Sequence, residues 1–183
     1  ARVQSLFNGV GSYAYQISGK ADNIKFTATD LAKKADYNSS QSYKSSLKSI
    51  STSKDSTKTL GNIEDAANSA KKSLAALRET GYKSVFNQVT TTDKNGNKVT
   101  GYDKDAIYKA VSDFVNDYNT LLKKTEDSNT KNITQARKTM TNYVLANKSA
   151  LSAFGITIGS DNKLSISEST FKDADMSKVK SLF

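Results

Sequence analysis

The chain has 183 residues, 36% of them hydrophobic and 25% charged, with 27 Lys and Arg against 18 Asp and Glu for a net charge of +9. That length suits one domain, able to bury roughly 70% of its unfolded surface, and the composition stops short of the low-hydrophobicity, high-charge signature of disorder. Cys, His, Pro and Trp are all absent, which excludes disulfides and thiolate metal sites, removes the commonest general base and transition-metal ligand, and leaves helices unobstructed.

There is no bilayer-length apolar run, no signal-peptide pattern and no initiating Met, so the sequence reads as a soluble fragment, domain or processed form without a membrane span. The positive balance permits attraction to nucleic acid, anionic lipid or an acidic wall polymer. The lysines are spread along the chain, however, and the adjacent pairs Lys33-Lys34 and Lys71-Lys72 carry no interleaved aromatics. Solvated helix faces explain them better than a nucleic-acid interface.

From Tyr13, the apolar positions Ile17, Ala21, Ile24, Ala28, Leu31 and Ala35 recur by threes and fours and predict a first helix. Asn38, Ser39 and Ser40 read as a turn, followed by Tyr43, Leu47 and Ile50, and the polar stretch Ser51 to Thr59 reads as a loop or a solvated helix segment. Leu60, Ile63, Ala67, Ala70, Leu74 and Leu77 form an a/d seam that predicts a coiled-coil-like helix, with Gly81 as its stop. The composition then changes over Ser84 to Thr100, where Val85, Phe86, Val89 and three threonines lead to Asn95-Gly96 and Val99, predicting a hairpin with a tight turn.

Asp103 is placed to cap the next helix, whose face is Ile107, Val111, Phe114, Tyr118, Leu121 and Leu122, with Asp105, Lys109, Asp113 and Lys123 off it. Asn129 or Thr130 opens another, with Ile133, Ala136, Met140, Tyr143, Ala150 and Phe154 near one stripe, Val144 and Leu151 widening it, and Gly155 ending it. Ile156 to Ile158 and Leu164 to Ile166 alternate about Gly159 to Lys163 as a second hairpin, before a last amphipathic turn or two ending in Val179, Leu182 and Phe183. The fold expected is therefore mainly α, an elongated antiparallel helical bundle with coiled-coil character and two small β-hairpins, covering 1–183 as a single domain.

The closing Lys178-Val179-Lys180-Ser181-Leu182-Phe183 echoes Arg2-Val3-Gln4-Ser5-Leu6-Phe7. Val, Ser, Leu and Phe match in order within the six positions; either they match by chance, or the chain is one unit of a longer or repeated array or a piece whose ends correspond to the same structural joint.

Catalytic patterns are weak. Ser45 with Lys48, Ser69 with Lys72, and Ser160-Asp161-Asn162 match fragments of penicillin-recognising motifs, but Lys-Thr-Gly is missing and such spacings arise freely in a chain rich in Ser and Lys. Asp93, Asn95 and Asn97 resemble part of a calcium loop, yet Gly96 falls at its fourth position and Lys104 stands where the bidentate Glu belongs. The carboxylate pairs Asp103/Asp105, Glu64/Asp65 and Asp173/Asp175 sit at expected helix starts or turns, and the sequons at Asn38, Asn132 and Asn147 are accidents of composition. No catalytic, cofactor or metal residue is assigned, no small-molecule substrate is expected, and the chain reads as non-enzymatic.

The segment Ser112-Asp113-Phe114-Val115-Asn116-Asp117-Tyr118-Asn119-Thr120-Leu121-Leu122, with Gly155-Ile156-Thr157-Ile158, Asp161-Asn162-Lys163-Leu164-Ser165-Ile166 and the closing Ser177 to Phe183, resembles the flagellar filament-cap family, hook-associated protein 2. The resemblance covers roughly Tyr102 to Phe183. It implies a helical, coiled-coil-containing stalk and an axial structural subunit that assembles with flagellin-like partners or with its own copies, at the bacterial surface, in the flagellum or secreted. Ser5 to Gly11 resembles the family's continuation past Leu-Phe but stands at the front, and a related secreted or surface protein has the same features. The alternative from a binding class is a basic surface adhesin or anionic-polymer binder, expected if the lysines converge in the fold.

Overall fold

The computed structural model describes residue 7, residues 10–19 and residues 55–183. The chain is mainly helical, with two small antiparallel two-stranded sheets. Helix α1 covers residues 10–19. Helix α2 spans Thr57–Arg78, and after a 3-10 turn at Gly81–Lys83 come β1 (Gln88–Thr92) and β2 (Lys98–Tyr102). Helices α3 (Lys104–Thr125), α4 (Lys131–Ala146) and α5 (Lys148–Ser152) lead to β3 (Ile156–Ile158), β4 (Leu164–Ile166), α6 (Glu168–Asp173) and α7 (Met176–Ser181). The predicted first helix beyond residue 19, the Asn38 turn, Tyr43, Leu47, Ile50 and the Ser45/Lys48 pair lie outside the described residues.

The apolar stripe of α2 is buried at every predicted position: Leu60, Ile63, Ala67, Ala70, Leu74 and Leu77. The ambiguous Ser51 to Thr59 stretch resolves at its end into a helix start, where the Ser56 hydroxyl accepts from the Thr59 amide at 3.1 Å. Helix α2 stops at Arg78, ahead of Gly81, whose φ of +70° begins the 3-10 turn.

Helix α3 is central, packing against α2, α4, α6 and β4. Asp103 caps it as expected, accepting from the Ala106 amide at 3.1 Å, and Ile107, Val111, Phe114, Tyr118, Leu121 and Leu122 are each at most 1% exposed. Side chains of that size contribute about 1.5–3 kcal/mol apiece on full burial, so this one stripe anchors the core. Arg137 of α4 closes the far end of α3, donating to the Thr125 hydroxyl at 3.0 Å and to the Leu122 carbonyl at 3.2 Å.

The expected single helix up to Gly155 is instead two. Asn147 interrupts it, its side-chain amide donating to the Tyr143 carbonyl at 3.0 Å and its backbone amide to Val144 at 3.0 Å. Both bonds satisfy carbonyls at the end of α4 and let the chain turn into α5. Gly155, at φ +76°, then turns into β3, and a Cβ there would lie 2.9 Å from the Thr170 Cβ and 3.0 Å from the Ser167 carbonyl oxygen.

Two polar ties join segments far apart in sequence. The Asp55 carboxylate accepts from the Ser128 hydroxyl at 2.6 Å, the Thr130 hydroxyl at 2.6 Å and the Asn129 amide at 2.9 Å. It thereby holds the start of α2 against the α3–α4 turn. Asn119 treats β4 as a neighbouring strand would, donating to the Leu164 carbonyl and accepting from its amide, both at 2.8 Å. Phe7 stacks on Phe183 with ring centroids 4.8 Å apart and meets Phe114 edge-on at 5.1 Å, while its amide donates to the Leu182 carbonyl at 2.8 Å. The final residues of the two echoed segments thus share one aromatic cluster; residues 2–6 lie outside the described residues.

Candidate functional site

The hairpin β1–β2 stands apart from the helical body. Its register pairs Gln88 with Tyr102, Val89 with Gly101, Thr90 with Thr100, Thr91 with Val99 and Thr92 with Lys98. Directly opposed residues share a face, so one face carries Val89, Thr91, Val99 and Gly101 and the other carries Gln88, Thr90, Thr92, Lys98, Thr100 and Tyr102. Every residue of β1 is exposed, as are Lys98 to Thr100 of β2. Val89 and Val99 are 39% and 48% exposed, among the most exposed large apolar side chains described. Alternating Val and Thr normally signals a strand with one face on a core, but among the described residues no packed layer covers this face.

The loop explains why the strands hold their register. The Asp93 amide donates to the Asn97 carbonyl at 2.8 Å and the Gly96 amide to the Asp93 carbonyl at 3.1 Å, and the Asp93 carboxylate accepts from the Asn95 and Asn97 amides, both at 2.9 Å. Only Gly96, at φ +82°, is left-handed here. The connection is therefore the expected tight turn, a three-residue loop closed by a left-handed glycine, with Asp93 supplying the acceptor that holds it. The second hairpin repeats the design, with the Gly159 amide donating to the Lys163 carbonyl at 2.9 Å and Asn162 left-handed at φ +67°. Asp93, Asn95 and Asn97 of the calcium-loop fragment and Ser160-Asp161-Asn162 are thus hairpin-loop residues.

The Val89/Val99 face and the start of α3 border an open, shallow hollow of about 370 Å³, lined also by Gly101, Tyr102, Asp103, Lys104 and Asp105. A Cβ on Gly101 would meet nothing within 4 Å. One rim is held by Lys172, which donates to Asp105 at 2.5 Å and Glu168 at 2.7 Å and lies 5.4 Å from the Tyr108 ring centroid. The Asp105 hydrogen bond, then that of Glu168, pushes the Lys172 ammonium pKa up, so the lysine stays charged.

The other predicted chemistry does not assemble. Ser69 and Lys72 are both exposed on α2. Asp103 and Asp175 serve as helix caps, Asp175 accepting from the Ser177 hydroxyl at 2.6 Å and amide at 2.9 Å, which hold its carboxyl below the usual aspartate range. Among the described residues no group of three acidic side chains is placed to hold a metal ion, and no helix is long and apolar enough to cross a membrane. Comparisons with family models, curated proteins and solved structures return no match.

Proposed function

We propose that this chain is a non-catalytic structural module that works by assembly, an elongated bundle of coiled-coil character whose contacts with neighbouring subunits are made through the β1–β2 hairpin. The hairpin's exposure carries this reading. A lone two-stranded hairpin is marginal in water, and one whose two edges and exposed Val89/Val99 face meet no further strand or packed layer among the described residues has the form of an element completed by another chain. Strand β1 holds no charged residue and no proline to block edge pairing. Two of the polar side chains with long-range partners, Asp55 and Asn119, tie the body's own elements together.

The resemblance of Ser112 to Leu122 and of Gly155 to Phe183 to flagellar filament-cap proteins supports the same class, an axial or related surface subunit at the bacterial surface, in the flagellum or secreted. Its partners are copies of itself or flagellin-like subunits. Sedimentation velocity over a concentration series tests this. Wild type should associate, more strongly as salt screens the mutual repulsion of chains carrying +9, and Val89→Lys with Val99→Lys should abolish the association. A chain that stays monomeric at every concentration and salt, or a variant that associates like wild type, refutes hairpin-mediated assembly.

A further inference from the structure

A second surface lies between α1 and α2, on residues that hairpin contacts leave untouched. Gly11 lets the helices approach closely, since a Cβ there would sit 2.5 Å from a Leu74 methyl, and Ser18 of α1 donates to the Asn68 side chain of α2 at 2.8 Å. The pair leaves a groove of about 290 Å³ lined by Gly11, Ser12, Leu74 and Ala75, of which Ala75 is exposed and Leu74 is 3% exposed. Tyr15, 65% exposed, forms one wall, and Lys71 and Arg78 stand at its rim.

The two cations are seven residues apart on α2, about 10.5 Å along the helix and on one face of it. Lys71 lies 4.6 Å from the Tyr15 ring centroid, which fixes its ammonium above the groove. Neither cation has a carboxylate within ion-pairing distance among the described residues. Elsewhere among the described residues most lysines lie on helices, and Lys109 and Lys172 are already paired.

We propose that this groove binds an acidic amphipathic peptide segment of a partner protein, with two carboxylates two helical turns apart meeting Lys71 and Arg78 and the apolar residues between them lying on Leu74 and Ala75. Charge complementarity selects the occupant: a rim of two unpaired cations over an apolar lining matches a segment that is acidic at its margins and apolar between. A uniformly charged polymer would leave that lining unused. At this surface the Lys71 and Arg78 charges disfavour a second copy of this +9 chain as the occupant. The inference rests on the assembly reading, in naming a partner class for the same module, but uses a different surface.

Fluorescence anisotropy tests it with a labelled synthetic helix-forming peptide carrying Glu at two positions seven apart and Leu at the third and fourth positions between. The same peptide with Gln for Glu and, separately, labelled dextran sulfate serve as controls. Wild type should bind the Glu peptide, with affinity falling as salt rises. Lys71→Gln with Arg78→Gln should bind it at least about tenfold more weakly with an unchanged thermal melt, and Lys71→Arg with Arg78→Lys should retain it. Equal binding of the Gln peptide, equal binding by the Gln double variant, or binding of dextran sulfate without the Glu peptide overturns the proposal. Hairpin-mediated association responds to salt in the opposite sense, so either reading can fail while the other stands.

Discussion

Replacing Asp55 by Ala removes the acceptor for three hydrogen bonds that tie the start of α2 to the α3–α4 turn. Ser128 and Thr130 are 8% and 1% exposed, so their hydroxyls lose a partner where water has little access. A hydrogen bond to a charged group contributes about 1.5–3 kcal/mol, but three on one carboxylate do not add. Asp55 itself is only half-buried, and we expect a net loss of about 2–3 kcal/mol for Asp55→Ala after discounting for solvent. Asp55→Asn keeps the shape and loses the charge assistance, for about 1 kcal/mol.

Burial raises this carboxyl's pKa, yet the Asn129 amide and the Ser128 and Thr130 hydroxyls outweigh it and hold the folded-state value below the ordinary 3.8. Stability from the ionised form is therefore fully present above pH 3.8 and lost as pH falls through the lower folded value. Urea unfolding at neutral pH and over an acid series measures both effects, as a shift in midpoint at constant slope. The reasoning fails if Asp55→Ala unfolds at the wild-type midpoint, or if the gap between wild type and Asp55→Asn does not narrow on acidification.

Three further substitutions probe other ties. Asn119→Ala should cost about 1–3 kcal/mol and speed amide exchange in β3–β4 first, since it strips both backbone partners from Leu164; uniform loss of protection would speak against a local tie. Tyr118 is fully buried and its hydroxyl has no hydrogen-bond partner among the described residues, so Tyr118→Phe should leave thermal stability unchanged or raise it by up to about 1 kcal/mol. A clear loss would show that the hydroxyl is satisfied. Gly155→Ala should cost more than about 2 kcal/mol, because it combines left-handed backbone with a Cβ 2.9 Å from Thr170; a wild-type melt would contradict the packing at that turn.

Elements governed by local spacing were the legible ones. The α2 and α3 stripes follow from 3.6-residue periodicity, and both hairpins from alternation around turn residues. The break at Asn147 was hidden because the apolar spacing runs on through Leu151, while the interruption depends on one side-chain amide reaching the Tyr143 carbonyl. The β1–β2 loop was read from Asn95-Gly96, but the deciding group was Asp93, two residues earlier. The clamps of Asp55 and Asn119 join residues 73–75 and 45 positions apart, which no short-range pattern encodes. The exposure of the hairpin face was likewise not legible, since alternation of Val and Thr says nothing of whether a packed layer covers them, and among the described residues Val89 and Val99 stay 39% and 48% exposed. The Lys71/Arg78 groove was equally hidden, since Lys71 looked like one of an adjacent solvated pair until α1 supplied the opposite wall.

Hydrogen–deuterium exchange over Gln88 to Tyr102, compared between the dilute chain and its associated form, tests hairpin-mediated assembly most directly. The amides facing outward on the two outer edges should exchange fast in the dilute chain and become protected on association, with the helical body little changed. Association that leaves those amides exchanging as before, and protects another surface instead, would contradict the assignment of the hairpin as the assembly contact.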